Sequence, residues 1–340
     1  NMALSFAVGN NFYLETAKLR AFRVLFHKAV AAFGVEDETL LSPFVISRTA
    51  RWPQTQYDVS NNLLRATTQS ISAIFGGTDA LIIRDYDLPV AAPTGRSNRL
   101  ARNIHHLLTH ESYLDQVLDP AGGSYFFEEL TEQLASEAWQ LFQEIEGAGG
   151  FYVALKTGFV RKQINAFKSL QQEFIAKGKQ GIVGINRYAD PNETLAKSNQ
   201  LPSAAAAYEQ LRSRIDQWSA KNGAKPKVLL LTFGDVKMRN ARLQFVSNLL
   251  ASAGFAFSEA SPETLSDHKV PDFVAFCAAD QDYFENGDAL IAKVRKQLPQ
   301  AKILIAGKPE GIEKLQADHY LYAGMPILAF LEEISTPYTS

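Results

Sequence analysis

Cysteine is almost missing, Cys277 being the only one in 340 residues. A lone thiol excludes an internal disulfide and any cysteine-rich zinc site, and it fits a reducing compartment. An excess of either charge is missing too: 34 Lys and Arg stand against 36 Asp and Glu, a net charge of −2. Nothing in that balance would draw the whole chain onto nucleic acid or an anionic membrane. No apolar run approaches the roughly 20 residues needed to cross a bilayer. The opening Asn1-Met2-Ala3-Leu4 lacks the charged-then-apolar layout of a secretory signal. A cytoplasmic location is therefore expected, with no membrane or nucleic-acid partner.

Chemical signatures are equally scarce. The sequence has no Gly-x-Ser-x-Gly elbow, no nucleotide fingerprint and no metal-spaced carboxylate set. Gly76-Gly77-Thr78 and Gly122-Gly123-Ser124-Tyr125 are too short to be phosphate loops. His105, His106 and His110 fall on one expected helix, and His106 and His110 are spaced to share a metal. A zinc protease would need a glutamate after the first histidine, where Leu107 stands, so solvated or packed histidines are the reading adopted. Arg96, Arg99 and Arg102 read as a solvated helix face. Cys277 ends an apolar run and reads as a small buried residue. No catalytic, cofactor-binding or metal-binding residue is nominated from first principles.

What is present is α/β rhythm. Ser5–Val8, Pro43–Ile46 and Ala80–Ile83 read as strands. The helices between them carry Phe22, Leu25, Phe26, Ala29 and Val30, then Asn61 to Phe75, and then a helix over Ser97–Ser112. Three strand–helix units argue for a parallel sheet, too few to close a barrel of eight, and the chain opens inside structure as a segment of a larger domain would. Two long helices follow, one ending at Gly147–Gly150 and one over Phe151–Ala176. Gly178–Pro202 is polar and turn-rich, and Ser203 is placed as the N-cap of a helix to Lys221. After Asn222–Pro226 come five strands: Lys227–Phe233, Phe255–Phe257, Phe273–Cys277, Ile303–Ala306 and Tyr320–Ala323. Their alternation with helices indicates a flavodoxin-like doubly wound sheet. The expected organisation is 1–177, a linker over 178–226, and a sheet domain over 227–340.

In such a sheet a ligand binds where the strand order reverses, which directs attention to Gly234–Ala241. That loop offers Asp235, Lys237 and Arg239 but no glycine-rich cradle. Asp235 follows the first strand rather than the third, which argues against a phosphoacceptor aspartate. An ordinary strand-to-helix loop with an aspartate near the helix start remains.

Several stretches, in order and spacing, resemble the methylmalonyl-CoA mutase family of cobalamin-dependent isomerases. They are Val8–Ala21, Asp58–Asn62, Phe75–Thr78, Arg99–Asn103, Asp119–Tyr125 and Ile182–Tyr188. The resemblance covers essentially the whole chain. It implies the C-terminal part of an acyl-CoA-holding (β/α)8 TIM barrel, a helical linker and a cobalamin-type domain. The family's His-x-Gln-Thr-Ser-Gly strand appears here as Ile46-Ser47-Arg48-Thr49-Ala50-Arg51, with Arg48 and Arg51 expected to fill substrate or corrin space. Its cobalt-ligand pattern Asp-x-His-x-x-Gly appears as Asp235-Val236-Lys237-Met238-Arg239-Asn240. A protonated lysine has no lone pair for cobalt. A serine expected at the third strand's end is Cys277, and paired glycines after the fourth are reduced to Gly307 before Lys308.

Heterodimeric members pair a catalytic large subunit with a homologous small subunit that keeps the fold and binds neither ligand. The chain is similar to the latter. The resemblance therefore implies a large-subunit partner that carries adenosylcobalamin, with no cofactor on this chain. A cobalamin- or acyl-CoA-binding module acting without a partner is the alternative left open.

Overall fold

The computed structural model describes residues 3–195, 199, 201–265, 270–312 and 314–339. Residues 1–2, and 196–198 and 200 of the expected linker, lie outside the described residues. Compactness divides the chain into two units: Asn1–Leu170 with Lys197–Ala204, and Gln171–Ala196 with Ala205–Ser340.

The first unit contains a parallel sheet of β1 (Ala3–Val8), β2 (Phe44–Thr49) and β3 (Ala80–Ile82), in the spatial order β1-β2-β3. Helices α1 (Phe12–Ala32) and α3 (Asn61–Phe75) connect them, with the short α2 (Glu38–Leu41) leading into β2. Side chains alternate across each strand. Val8 and Val45, with Phe6 and Leu81, pack against Leu19 and Phe22 of α1 and Ala73 of α3. On the opposite face Ser5, Ala7, Phe44 and Arg48 are exposed and Ile46 is half-buried. Both connecting helices thus lie on one face, unlike a doubly wound sheet, which is covered on both.

The motif residues here make close contacts and hydrogen bonds. A Cβ on Gly76 would sit 2.7 Å from Leu19 Cβ, so glycine permits the close approach of α1 to the end of α3. Thr78 Oγ1 accepts the Ser47 N–H at 3.2 Å and donates towards the carbonyls of Val45 and Ala80. Asn62 is buried; its amide donates to the carbonyls of Thr55 and Tyr86 at 2.8 and 2.9 Å, and its Oδ1 accepts the Thr55 N–H.

Beyond β3, Thr94 and Ser97 form a reciprocal cap that starts α4 (Gly95–His106) two residues before the expected Ser97. The helix then widens into a π turn over Leu107–Glu111, a change that no periodicity announces. α5 (Tyr125–Gly147) packs on α1. The single helix expected over Phe151–Ala176 is two, α6 (Phe151–Lys156) and α7 (Phe159–Ala176), divided at Gly158 with φ +80°. A left-handed residue cannot continue a right-handed helix.

The second unit holds α8 (Ala206–Asn222) and a five-stranded parallel sheet. Ser203 is not the cap of α8: the helix begins at Ala206, with Ala205 in the capping position and no side-chain cap bond. The strands are β4 (Lys227–Thr232), β5 (Ala256–Ala260), β6 (Phe273–Cys277), β7 (Lys302–Ala306) and β8 (His319–Leu321), in the order β5-β4-β6-β7-β8. In sequence terms that is 2-1-3-4-5, the flavodoxin-like arrangement. Every residue of the central β6 is buried, as a strand covered on both faces requires. Leu229, Leu231, Val274, Phe276, Ile303 and Ile305 pack against Tyr283, Ile291 and Val294 of α10 (Asp280–Gln297). On the other face Phe255 stacks on Phe273 at 5.9 Å, with Tyr338 edge-on to both. α9 (Val236–Ser252) and α11 (Ile327–Ser335) complete the alternation.

Candidate functional site

The crevice of a 2-1-3-4-5 sheet lies outside the carboxyl ends of β4 and β6, where the order reverses. Three loops meet there: Phe233–Asp235 after β4, Ala278–Ala279 after β6 and Gly307 after β7. Asp235 caps α9, its Oδ1 accepting the Met238 N–H at 2.9 Å. This carboxylate satisfies one of the four orphan N–H groups of the helix start. Lys237, at the second helical position, is exposed, and Arg239 is half-buried.

The crevice is occupied by the chain's own side chains. Asp282, in the first turn of α10, points its carboxylate at the β4 loop, where Oδ2 accepts the Asp235 N–H at 2.9 Å and the Ala279 N–H at 3.3 Å. Arg242 of α9 donates to the Ala278 carbonyl at 2.5 Å and to Asp280 Oδ1 at 2.6 Å. Its guanidinium lies 5.3 Å from the ring centre of Tyr283. Burial works to lower the Arg242 pKa, but the hydrogen bond to Asp280 and the Tyr283 contact outweigh it, so the net shift is upward. Tyr283 is buried, and its hydroxyl lies 2.8 Å from the Phe276 carbonyl and 3.0 Å from that of Ala306, while accepting the Ala278 N–H. One phenol therefore joins the ends of β6 and β7. A Cβ on Gly307 would meet Ile312 Cδ1 at 3.1 Å and Arg242 at 3.6 Å.

Cys277 is fully buried at the end of β6, and burial pushes its thiol pKa up to about 12. It is thus an inert packed residue. His106 and His110 stack at 5.8 Å, and among the described residues no group of three or more His, Cys, Asp or Glu side chains is placed to hold a metal ion. Burial, followed by the neighbouring His106, lowers the pKa of His105. Arg96, Arg99 and Arg102 are exposed, as expected of a solvated face. Ile46 and Arg48 lie on the open face of the first sheet, and Arg51 is exposed just beyond β2. Among the described residues no helix is long and apolar enough to cross a membrane.

Sequence reasoning located the β4 loop but missed Asp282, Arg242 and Tyr283. Only the tertiary arrangement brings α9 and α10 to the same crevice, and no local spacing signals it.

Doubly wound topology at one end of the chain and sequential strand–helix units at the other define an α/β protein built of two parallel sheets. The sequence model for methylmalonyl-CoA mutase matches residues 1–250. The small subunit of methylmalonyl-CoA mutase from Porphyromonas gingivalis (strain ATCC BAA-308 / W83) is 30% identical over 339 residues, covering 92% of this chain and 54% of the relative. The Streptomyces virginiae small subunit is 30% identical over 349 residues, covering 96% and 55%. A methylmalonyl-CoA mutase of Rhizobium meliloti (strain 1021) is 33% identical over 252 residues, covering 74% and 35%. The chain belongs to the methylmalonyl-CoA mutase family, and it spans about half the length of the small subunits it matches.

Proposed function

We propose that the chain belongs to a non-catalytic small subunit of a cobalamin-dependent methylmalonyl-CoA mutase. In this reading it serves to assemble and stabilise a homologous catalytic large subunit. The isomerisation of methylmalonyl-CoA and succinyl-CoA, and the adenosylcobalamin it needs, belong to that partner. The three-stranded sheet, with sequential strands and both connecting helices on one face, is read as a segment of a TIM barrel. A reducing, cytoplasmic compartment fits the single Cys277.

The observation that carries the reading is the filled crevice. Where a cobalt ligand would stand, Lys237 offers an ammonium without a lone pair. Asp235 Oδ1 is engaged with the helix start through the Met238 N–H. Asp282 covers Gly234, and Arg242 lies beside Gly307, on the surfaces a bound tail would need. These residues do not fit cobalamin.

The test uses the full-length polypeptide alone and co-expressed with its large subunit. Each sample is incubated with cobalamin and passed through gel filtration. A stable complex, with the corrin's visible absorption travelling only with the large subunit, is expected. A coloured small subunit alone, or no complex, would overturn the proposal.

A further inference from the structure

Beyond the carboxyl ends of β2 and β3, three enclosed side-chain oxygens lie without a donor. Gln54, in the loop after β2, is 4% exposed, and Asp87, in the loop after β3, is 8% exposed. Among the described residues nothing donates to Gln54 Oε1 or Asp87 Oδ1, and Asp85 Oδ1 is enclosed and unpartnered in the same way. The Gln54 amide has a fixed orientation, because its Nε2 donates to the Asp85 carbonyl at 3.1 Å. That bond sets Oε1 against the segment carrying both acids, and turning the amide over would bring two acceptors together. The carboxylates also sense each other: burial first, and then the Asp87 charge, raises the Asp85 pKa.

The backbone holds both acids in place. The Tyr86 carbonyl accepts from Asn62 at 2.9 Å, the Asp87 carbonyl accepts the Val90 and Ala91 N–H groups at 2.9 Å, and the Leu88 carbonyl accepts from Asn199 at 2.7 Å. With Gln54 on the Asp85 carbonyl, four successive carbonyls are pinned. A buried carboxylate without a partner is costly, and native structures give such atoms a donor, a water or an ion. A donor from another polypeptide segment would have to displace the residues that enclose these oxygens. A small cation need not, because its contacts to oxygen, about 2.0–2.6 Å, are shorter than hydrogen bonds. Two carboxylates and an amide oxygen are hard ligands, which suit calcium or magnesium rather than the metals that favour nitrogen and sulfur.

We propose that Asp85, Asp87 and Gln54 bind one divalent cation of the calcium or magnesium class. Its two charges balance the two carboxylates, and it ties the loop after β2 to the loop after β3. Asp85 is only half-buried, which leaves a side for entry. The site is separate from the crevice beside β4 and β6 and stands whether or not the function proposed above holds.

The experiment strips the full-length polypeptide with a chelator, then titrates it by calorimetry with calcium chloride and, separately, magnesium chloride. Asp85→Asn and Asp87→Asn, which keep the shape and each remove one charge, are treated alike, with circular dichroism as the check on folding. Wild type should bind one of the two ions at a site whose affinity falls at least about tenfold in each variant, as loss of a ligand charge does. At a hundredfold excess over the Kd, the wild-type melting temperature should rise by about 2 °C or more. In chelator both variants should melt at or above wild type, because a neutral amide relieves the repulsion between the acids. No calcium or magnesium effect on wild type overturns the proposal, since the acids would then share a proton or a water. Affinity that survives in both variants overturns it too, placing the ion elsewhere. Variants that melt well below wild type in chelator also overturn it, because the carboxylates would then be engaged within the protein.

Discussion

The carboxylate of Asp282 occupies the space into which any side chain at position 234 would project. A Cβ built on Gly234, at φ +74°, falls 1.9 Å from Asp282 Oδ2. Gly234→Ala must therefore both strain the backbone and expel the carboxylate from its bond to the Asp235 N–H. Left-handed backbone costs about 1–2 kcal/mol and a lost charge-assisted hydrogen bond about 1.5–3 kcal/mol. A loss of about 2.5–5 kcal/mol by urea denaturation is expected. In an Asp282→Ala background the same substitution should cost only the backbone part, because the clash is gone. Additive losses would show that the two positions do not interact.

Tyr283 ties two strand ends together through one hydroxyl, within reach of the Phe276 and Ala306 carbonyls and of the Ala278 N–H. Tyr283→Phe keeps the ring beneath Arg242 but leaves buried backbone groups without their partner. That should destabilise the sheet unit by about 1–3 kcal/mol. The substitution adds no bulk, so the native fold should persist in the circular dichroism spectrum. A change under about 0.5 kcal/mol would mean that the hydroxyl's bonds are replaced by water, at no net loss.

Much of this fold was legible because burial imposes a period. Asn61–Phe75 and Phe273–Cys277 have the bounds that their apolar patterns announce. Failures came where a local rule was overridden. Ser203 has the right chemistry for a cap, but it is buried three residues before α8 begins, and the neighbouring Ala204 N–H bonds to the Trp52 carbonyl. Gly158 interrupts a helical pattern that reads as continuous. The missing histidine at Lys237 could be read directly. The residues that fill the crevice could not, because Arg242 and Asp282 lie on different helices and meet only through the sheet.

Arg20 clasps α1 to α5. Its fork donates to both oxygens of Asp119 at 3.0 and 2.9 Å, to Glu128 at 2.8 Å and to Thr131 at 2.9 Å. Lysine retains the charge but not the fork, so Arg20→Lys should lose about 1–2 kcal/mol. The pH dependence has a definite sign. The Arg20 hydrogen bond, followed by the Gly123 N–H, holds the Glu128 pKa below its ordinary value of 4.5. Its contribution to stability is therefore complete above that value and disappears as pH falls through the depressed one. The stability gap between wild type and Arg20→Lys should stay level from neutrality down to about pH 5 and then narrow in acid. A gap that widened in acid would refute this assignment.

Burial of Cys277 implies a kinetic prediction. With the thiol pKa raised to about 12, almost no thiolate exists at neutral pH, and the fully buried side chain offers no approach to a reagent. Reaction with a disulfide reagent should be slow in the folded protein and should accelerate in urea in step with unfolding. Rapid stoichiometric labelling of the native protein would place Cys277 in an accessible environment instead.

Restoring the cobalt ligand alone should not restore cobalamin binding. Lys237→His recreates the Asp-x-His spacing from Asp235 and presents an imidazole at an exposed position of α9. Metal affinity, however, depends on the groups that orient the ligand as well as on the ligand. Asp235 would still be held by the Met238 N–H, and Asp282 and Arg242 would still cover Gly234 and flank Gly307. Under the proposed reading Lys237→His therefore stays colourless after incubation with cobalamin and gel filtration. Combining it with Asp282→Ala and Arg242→Ala opens the crevice at the expense of the bonds to Asp235, Ala278 and Asp280, so the triple variant should also be less stable. If Lys237→His alone retains the corrin, the missing histidine was the sole barrier, and the filled crevice is not what excludes the cofactor.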